Sequence, residues 1–137
     1  MSEAALDVMS PQQVAQAVME AGYRAQIEKR EDGDYVIRSM ASGYKCNIFC
    51  YSLGGNPERV ASLQFHCAFG DLKPSMDKVN AWNRQKRFVK VYVDSDGDAG
   101  FEMDVSLRGV STAYVKNCME RWDAIIGDAP TIEALQS

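Results

Sequence analysis

The sequence contains few of the residues that metal centres and nucleophilic active sites use. It has one histidine, His66, and four cysteines, Cys46, Cys50, Cys67 and Cys118. No two cysteines have the CxxC spacing of structural zinc sites, so the pattern favours reduced, buried thiols over a zinc site completed by His66. A Ser or Cys nucleophile would need a histidine base, and His66 falls on the polar side of a strand pattern. We therefore expect no catalytic residue, no metal and no cofactor.

Glycine motifs that bind phosphate or calcium are also missing. The chain has no Walker loop and no GxGxxG, and Gly54-Gly55 is too short to replace either. We predict that these glycines belong to a loop over 53–57 and that the next strand runs from Val60 to Phe69. The acidic run 94–98 suggests an EF-hand, but that loop needs Gly at its sixth position and Glu at its twelfth. Those positions hold Ala99 and Val105. A plain hairpin turn explains the run better, since Asp and Gly are turn residues.

The sequence has no long apolar run and no excess of positive charge. No segment approaches the length that a transmembrane helix needs, and residues 1–7 lack the basic and apolar regions of a signal peptide. The formal net charge is −4 and the isoelectric point is about 5.0, whereas general nucleic-acid binders are normally basic. We expect a cytoplasmic protein that binds neither nucleic acid nor a membrane.

Hydrophobic periodicity predicts one α+β domain. The predicted order is α-β-β-β-β-α-β-β-α, with short turns that make neighbouring strands antiparallel and with helices packed on the apolar face of the sheet. Ser10 and Ser111 are expected to cap the first and last helices. We predict a flexible N-terminus over 1–9, a single domain over 10–127 and a loose tail over 128–137.

Alternation along the last three strands predicts which side chains face the core. We expect Phe65, Val91 and Val105 to be nearly inaccessible. Gln64, Lys90 and Glu102 should lie on the other face, and the reverse result would mean a register error of one residue.

The stretch 79–94 organises the chain, because a helical pattern changes directly into a strand pattern without an intervening glycine. On the helical period, one face carries Met76, Val79, Trp82 and Asn83. An amide in an apolar stripe needs a hydrogen-bonded partner, so Asn83, and with it Asn80, is predicted to tie the helix to neighbouring backbone. A binding role for these amides is the second interpretation.

A basic cluster follows at the helix–strand corner. It contains Arg84, Lys86, Arg87 and Lys90. The cluster could bind a phosphate or an acidic partner. The favoured interpretation is a solvated face whose positive charge complements the partial negative charge of the helix C-terminus. Arg87 is the exception, since at the corner it could hydrogen-bond a carbonyl or a carboxylate.

The motifs now described resemble the YbjN family of bacterial proteins. The resemblance spans about residues 10–126 and rests most specifically on Asn80-Ala81-Trp82-Asn83 and Arg87-Phe88, supported by Gly22-Tyr23 and Trp122. It implies a sensory-transduction regulator with a fold like that of type III secretion chaperones, often dimeric. The implied family-motif residues, structural or partner-binding, are Asn80, Trp82, Asn83, Arg87, Phe88 and Trp122. No catalytic residue comes with the family.

Two classes of function remain open from the sequence. The first is a non-catalytic, dimeric interaction module that binds a segment of a partner protein, with an exposed surface rich in Tyr, Phe and Met. The second is a small-ligand sensor with a pocket between sheet and helices near Trp82 and Trp122.

Overall fold

The computed structural model describes residues 5–128 and residue 135, and these form three helices and a six-stranded sheet. The helices are α1 (Pro11–Glu20), α2 (Met76–Gln85) and α3 (Thr112–Ile126). The strands are β1 (Gln26–Lys29), β2 (Tyr35–Ala41), β3 (Tyr44–Leu53), β4 (Asn56–Phe69), β5 (Lys90–Val93) and β6 (Ala99–Ser106). The predicted α+β class and element order are therefore confirmed.

The sheet is antiparallel throughout, with strand order β1-β2-β3-β4-β6-β5. Hairpins connect the first four strands, whereas β5 and β6 exchange their sequence order because α2 carries the chain across the apolar face to the far edge. This topology places β1 and β5 at the two edges, and β4 and β6 lie between β3 and β5.

Helix starts follow the sequence signals. The Ser10 hydroxyl accepts a hydrogen bond from the Gln13 backbone N–H at 3.1 Å, and the Gln13 side chain returns one to the Ser10 N–H at 2.9 Å. Ser111 caps α3 through the Tyr114 N–H at 3.2 Å. Each cap satisfies donors that a helix N-terminus otherwise leaves unpaired.

All three helices contribute to one core with the inner face of the sheet. Its buried side chains include Val18, Phe65, Trp82, Phe101 and Trp122. Burial of such apolar area is the main favourable term in folding. The outer face carries polar side chains instead, and one row of paired residues crosses the sheet through Gln26, Arg38, Asn47, His66, Glu102 and Lys90.

The predicted register is correct. Phe65 and Val91 are buried, whereas Gln64 and Glu102 are half-buried and Lys90 is exposed. Val105 packs against the core as expected but is only half-buried.

The segment around Gly54-Gly55 is a tight turn, and the prediction of a loop over 53–57 was wrong. Leu53 pairs with Asn56, and the two glycines between them have φ values of 63° and 77°. Two consecutive positive φ values define the two-residue hairpin turn that matches strand twist. β4 therefore begins at Asn56 and not at Val60, and a register irregularity between Tyr51 and Leu53 accommodates Pro57.

Residues outside the predicted domain boundaries also contact the domain. Leu6 N–H donates to the Val110 carbonyl at 2.9 Å, and Met9 is buried and forms a bridge with Val60. Leu135 is buried as well. Leu6, Met9 and Leu135 thus pack against the domain. Residues 1–4, 129–134 and 136–137 lie outside the described part, and the flexibility of 1–9 and the division at 10 and 127 stay predictions.

None of the helices in the described part of the chain combines the length and the apolar character needed to span a bilayer.

Candidate functional site

The corner between α2 and β5 is a strained turn centred on Phe88. The Val89 N–H donates to the Arg87 carbonyl at 2.9 Å, and Phe88, between them, has a φ of 74°. These values describe a classic-type γ-turn, which is rare and strained. A positive φ is an outlier for a bulky residue, because its Cβ approaches the backbone carbonyl oxygen.

Trp82 and Asn83 hold this turn in place from the helix side. The Trp82 Nε1–H donates to the Val89 carbonyl at 3.1 Å, and the indole is 4% exposed, packed edge-on against Phe101 at 5.4 Å. The Asn83 amide bonds to the Val91 backbone. Because the buried indole fixes the chain immediately after Phe88, the turn cannot relax without breaking a core contact.

The ring of Phe88 lies at the surface between two arginines. It is 54% exposed, although it is one of the largest apolar side chains in the protein. The Arg87 guanidinium carbon lies 4.9 Å from the ring centroid, and that of Arg121, from α3, lies 4.2 Å from it. Both distances are within the range of cation–π attraction. The Arg87 side chain therefore stacks on an aromatic ring, and neither a carbonyl nor a carboxylate is its partner among the described residues.

A pocket of about 260 Å³ opens beside the ring. It is lined by Lys86, Arg87, Phe88, Ala124, Ile125 and Asp128. Its apolar lining is Phe88, Ala124 and half-buried Ile125, and its cationic lining is Lys86 and Arg87. We call the set Lys86, Arg87, Phe88, Arg121 and Ile125 the corner surface; the first three of these residues are exposed and the last two are half-buried.

The family-motif residues therefore divide by role. Trp122 is fully buried against Phe65 at 5.8 Å, and its Nε1 has no hydrogen-bond partner in the described part of the chain. Trp82 is also core. Asn80 is exposed, and no hydrogen-bond partner for its amide occurs among the described residues. Asn83, Arg87 and Phe88 are exposed as well.

Asn83 differs from the prediction in one respect. Its amide bonds to backbone, as predicted, but the residue is exposed and does not belong to the buried stripe. Met76, assigned to the same stripe, is 60% exposed. Met76 is the first residue of α2, and only Val79 and Trp82 of this helix reach the core, because the helix meets the sheet over its later turns.

The acidic turn over 94–98 forms a hairpin, as predicted. The Asp94 carboxylate accepts hydrogen bonds from the backbone N–H groups of Asp96 and Asp98, both at 2.9 Å. The carboxylates of these three residues lie close together, and the Lys73 ammonium forms an ion pair with Asp98. The Asp94 carboxylate thus stabilises the turn, and the Lys73 ammonium compensates part of the negative charge of the cluster.

The thiols and the histidine show the arrangement expected of structural residues. All four cysteines are buried and unpaired. Burial raises the pKa of Cys50 and that of Cys67 to about 12, which suppresses the thiolate that reactive cysteines require. His66 is half-buried on the outer face, with Nε2 2.9 Å from the Tyr92 hydroxyl.

Sequence reasoning missed Arg121 and Ile125 as members of the site. They lie more than 30 positions after Phe88 in the sequence, and the helical pattern showed only that Ile125 is apolar.

The pocket expected near Trp82 and Trp122 differs from the pockets found. A larger cleft, of about 510 Å³, lies by β1, β2 and β3, and neither tryptophan lines it or the corner pocket.

Comparisons with known proteins agree with the motifs described above. No curated protein matches the chain. The model of one protein family, described as "Putative bacterial sensory transduction regulator", matches residues 10–128. That range covers the whole sheet and all three helices, and it includes the corner surface. The chain belongs to the YbjN family.

Proposed function

We propose that this protein is a non-catalytic regulator that acts by binding a short acidic segment of a partner protein at the corner surface. The observation that supports this most strongly is Phe88, an exposed aromatic residue at a positive φ. Such strain costs on the order of 1–3 kcal/mol and persists only where the surrounding structure enforces it, most often at functional sites. Trp82 and Asn83 supply that enforcement.

The composition of the corner surface supports a protein partner. Aromatic residues and arginine are enriched in the energetically important centres of interfaces. Here an exposed Phe ring lies between two guanidinium groups and beside a pocket large enough for one or two apolar side chains. The ring and the pocket would accept an apolar anchor of the partner.

Charge complementarity indicates the sign of the partner. Lys86, Arg87 and Arg121 concentrate positive charge on a protein whose net charge is −4. Among the described residues that line the pocket, Asp128 alone is acidic. Acidic side chains on the partner would meet the guanidinium groups, and such steering raises the rate of encounter and disfavours basic partners.

Fluorescence anisotropy with designed peptides tests the proposal. The probe is a labelled peptide of Asp, Glu and Leu, and its comparisons are a peptide with Lys in place of the acids and one with Ala in place of Leu. The acidic, leucine-containing peptide should bind tightest. The double variant Arg87→Glu/Arg121→Glu should weaken that binding by about tenfold or more, equivalent to about 1.4 kcal/mol.

The matched control is Arg24→Glu/Lys45→Glu, which makes the same change in net charge at a cleft with different lining residues. It should change the affinity by less than about twofold, since separated surface charges are largely screened. Equal weakening by both double variants, or equal binding of acidic and basic peptides, would contradict the proposal.

We further propose that the protein is a cytoplasmic homodimer. The support is the family resemblance and the large side chains exposed on two helices, Met76 on α2 and Tyr114 on α3. Light scattering at high micromolar concentration should give twice the chain mass of 15.2 kDa. A monomer mass at that concentration would count against the dimer while leaving the corner surface as a binding site.

A further inference from the structure

A second cleft lies at the β1 side of the sheet, well separated in sequence from the corner surface. It has a volume of about 510 Å³, within the range of small-molecule sites. The side chains that give it its chemical character are Arg24, Gln26, Arg38, Met40, Lys45 and Asn47. They come from β1, β2, β3 and the residues just before them, so strand pairing holds them together.

The cleft is strongly cationic. Three of its residues, Arg24, Arg38 and Lys45, carry positive charge, and none of the lining residues in the described part of the chain is acidic. Neither Arg24 nor Lys45 has an ion-pair partner among the described residues. The Glu28 carboxylate pairs with Arg38, so Arg24 and Lys45 are the cations whose mutual repulsion a bound anion would relieve.

The guanidinium group of Arg38 is oriented before any ligand arrives. Its Nε donates to the Glu28 carboxylate at 3.0 Å, and its Nη1 donates to the Asn47 Oδ1 at 2.8 Å. These bonds fix the plane of the group and leave Nη2 without a partner in the described structure. Because the Asn47 oxygen is the acceptor, its Nδ2 stays available as a donor. An oriented fork and an amide suit the geometry of phosphate and carboxylate oxygens.

Acidic residues limit the positive charge to the cleft. Farther across the same outer face lie Glu102 and Asp104, which pair with Lys90 and Gln64. An extended polyanion such as nucleic acid would meet these carboxylates, whereas a compact anion would not. Half-buried Met40 adds an apolar contact to the lining.

We propose that this cleft binds a small organic anion that carries two or more phosphate or carboxylate groups. The cations Arg24, Arg38 and Lys45 neutralise the ligand, and Gln26 and Asn47 donate hydrogen bonds to it. This site goes beyond the binding of a partner protein, and it shares no residue with the corner surface.

Isothermal titration calorimetry at low ionic strength tests the site with four probes: inorganic phosphate, pyrophosphate, citrate and adenosine diphosphate. At least one multiply charged probe should bind with a Kd below about 1 mM, and tighter than inorganic phosphate. Preference among pyrophosphate, the nucleotide and citrate distinguishes phosphate from carboxylate recognition. Binding should weaken as salt is added.

Variants assign the binding to the cleft. Arg24→Ala/Lys45→Ala should weaken the best probe by about tenfold or more, whereas Arg87→Ala/Arg121→Ala should leave it within about twofold. Arg38→Lys retains the charge but loses the fork, so it should also weaken binding. Circular dichroism confirms that each variant is folded.

Failure of all four probes to bind at about 1 mM would overturn the proposal, as would equal weakening by the two double variants. Either result leaves the corner surface untouched, because the peptide experiment there uses different residues and a different probe.

Discussion

The side-chain amide of Asn83 pairs with the backbone of Val91 as a neighbouring strand would. Its Nδ2 donates to the Val91 carbonyl and its Oδ1 accepts from the Val91 N–H, both at 3.0 Å. β5 is an edge strand, and an open edge exposes unpaired backbone groups to other chains. One residue of α2 thus closes this edge of the sheet and sets the position of the chain that follows Phe88.

Asn83→Ala should destabilise the protein by about 1–2 kcal/mol, because it removes two partly buried hydrogen bonds and leaves the Val91 backbone groups unpaired. Denaturant unfolding measures this change in the free energy of unfolding. The control is Asn80→Ala in the same helix, where the exposed amide has no described partner and alanine is the better helix former. If Asn80→Ala lowered the free energy of unfolding as much as Asn83→Ala, the hydrogen bonds to Val91 would not be the cause of the destabilisation.

Phe88→Gly should be at least as stable as Phe88→Ala. Both variants lose the ring's contacts with the two arginines. Alanine has the less flexible unfolded chain, which favours its folded state, but glycine adopts the positive φ without steric cost, and this outweighs the entropy difference. We expect the glycine variant to exceed the alanine variant by about 0.5–1 kcal/mol in thermal or denaturant unfolding.

Met76 provides the matched control for this order. It is similarly exposed but lies in helical backbone at the first residue of α2, so Met76→Gly should be less stable than Met76→Ala. If the alanine variant were the more stable one at both Phe88 and Met76, the result would argue against a strained turn at Phe88.

Tyr23 should make the stability of the protein fall at alkaline pH. Burial, and then the hydrogen bond from its hydroxyl to Asp123 at 2.7 Å, raise the pKa of Tyr23 to about 12. Because the folded pKa lies above the unfolded value near 10, the folded state holds the proton more tightly. Its contribution is fully present below about pH 10 and is lost as the pH rises towards about 12.

The stability difference between wild type and Tyr23→Phe measures this contribution. It should be constant up to about pH 9 and should shrink between about pH 10 and 12, as the linkage relation requires. A difference that does not change with pH across that window would mean that the Asp123 contact does not hold the phenol proton.

The cysteines should not react with thiol reagents in the native state. The side chains of Cys50 and Cys67 are 3% and 2% exposed, and burial raises the pKa of both to about 12. Titration with a disulfide reagent near pH 8 should therefore proceed at the rate of unfolding, and all four thiols should react at once in denaturant. Rapid modification of either thiol in the folded protein would contradict its placement.

Much of the fold follows from local signals. The caps Ser10 and Ser111 and the alternation through Phe65 mark elements whose propensity and packing agree, so the sequence suffices to predict them. Gly54-Gly55 was misjudged, because two adjacent glycines are consistent with a loop as well as with a tight turn. Val105 shows a different limit, since the pattern indicates a face but not how far the core extends along it.

The candidate site was less predictable than the fold. Arg87 and Phe88 were identified by resemblance. The positive φ of Phe88 arises where α2 meets β5, and a sequence predicts a positive φ only where it has a residue such as glycine or asparagine. Arg121 joins the site through the packing of α3. Arg24 and Lys45 similarly meet only when the strands pair. Contacts of this kind depend on tertiary structure, which periodicity does not encode.

The central claim is that the corner surface binds an acidic partner segment, and amide chemical-shift mapping with the acidic, leucine-containing peptide tests it most directly. The largest perturbations should fall on Lys86 to Val89 and on Arg121 to Ile125, and Phe88→Gly should remove them without unfolding the protein. Perturbations centred instead on the outer face of the sheet, or unchanged in Phe88→Gly, would contradict it.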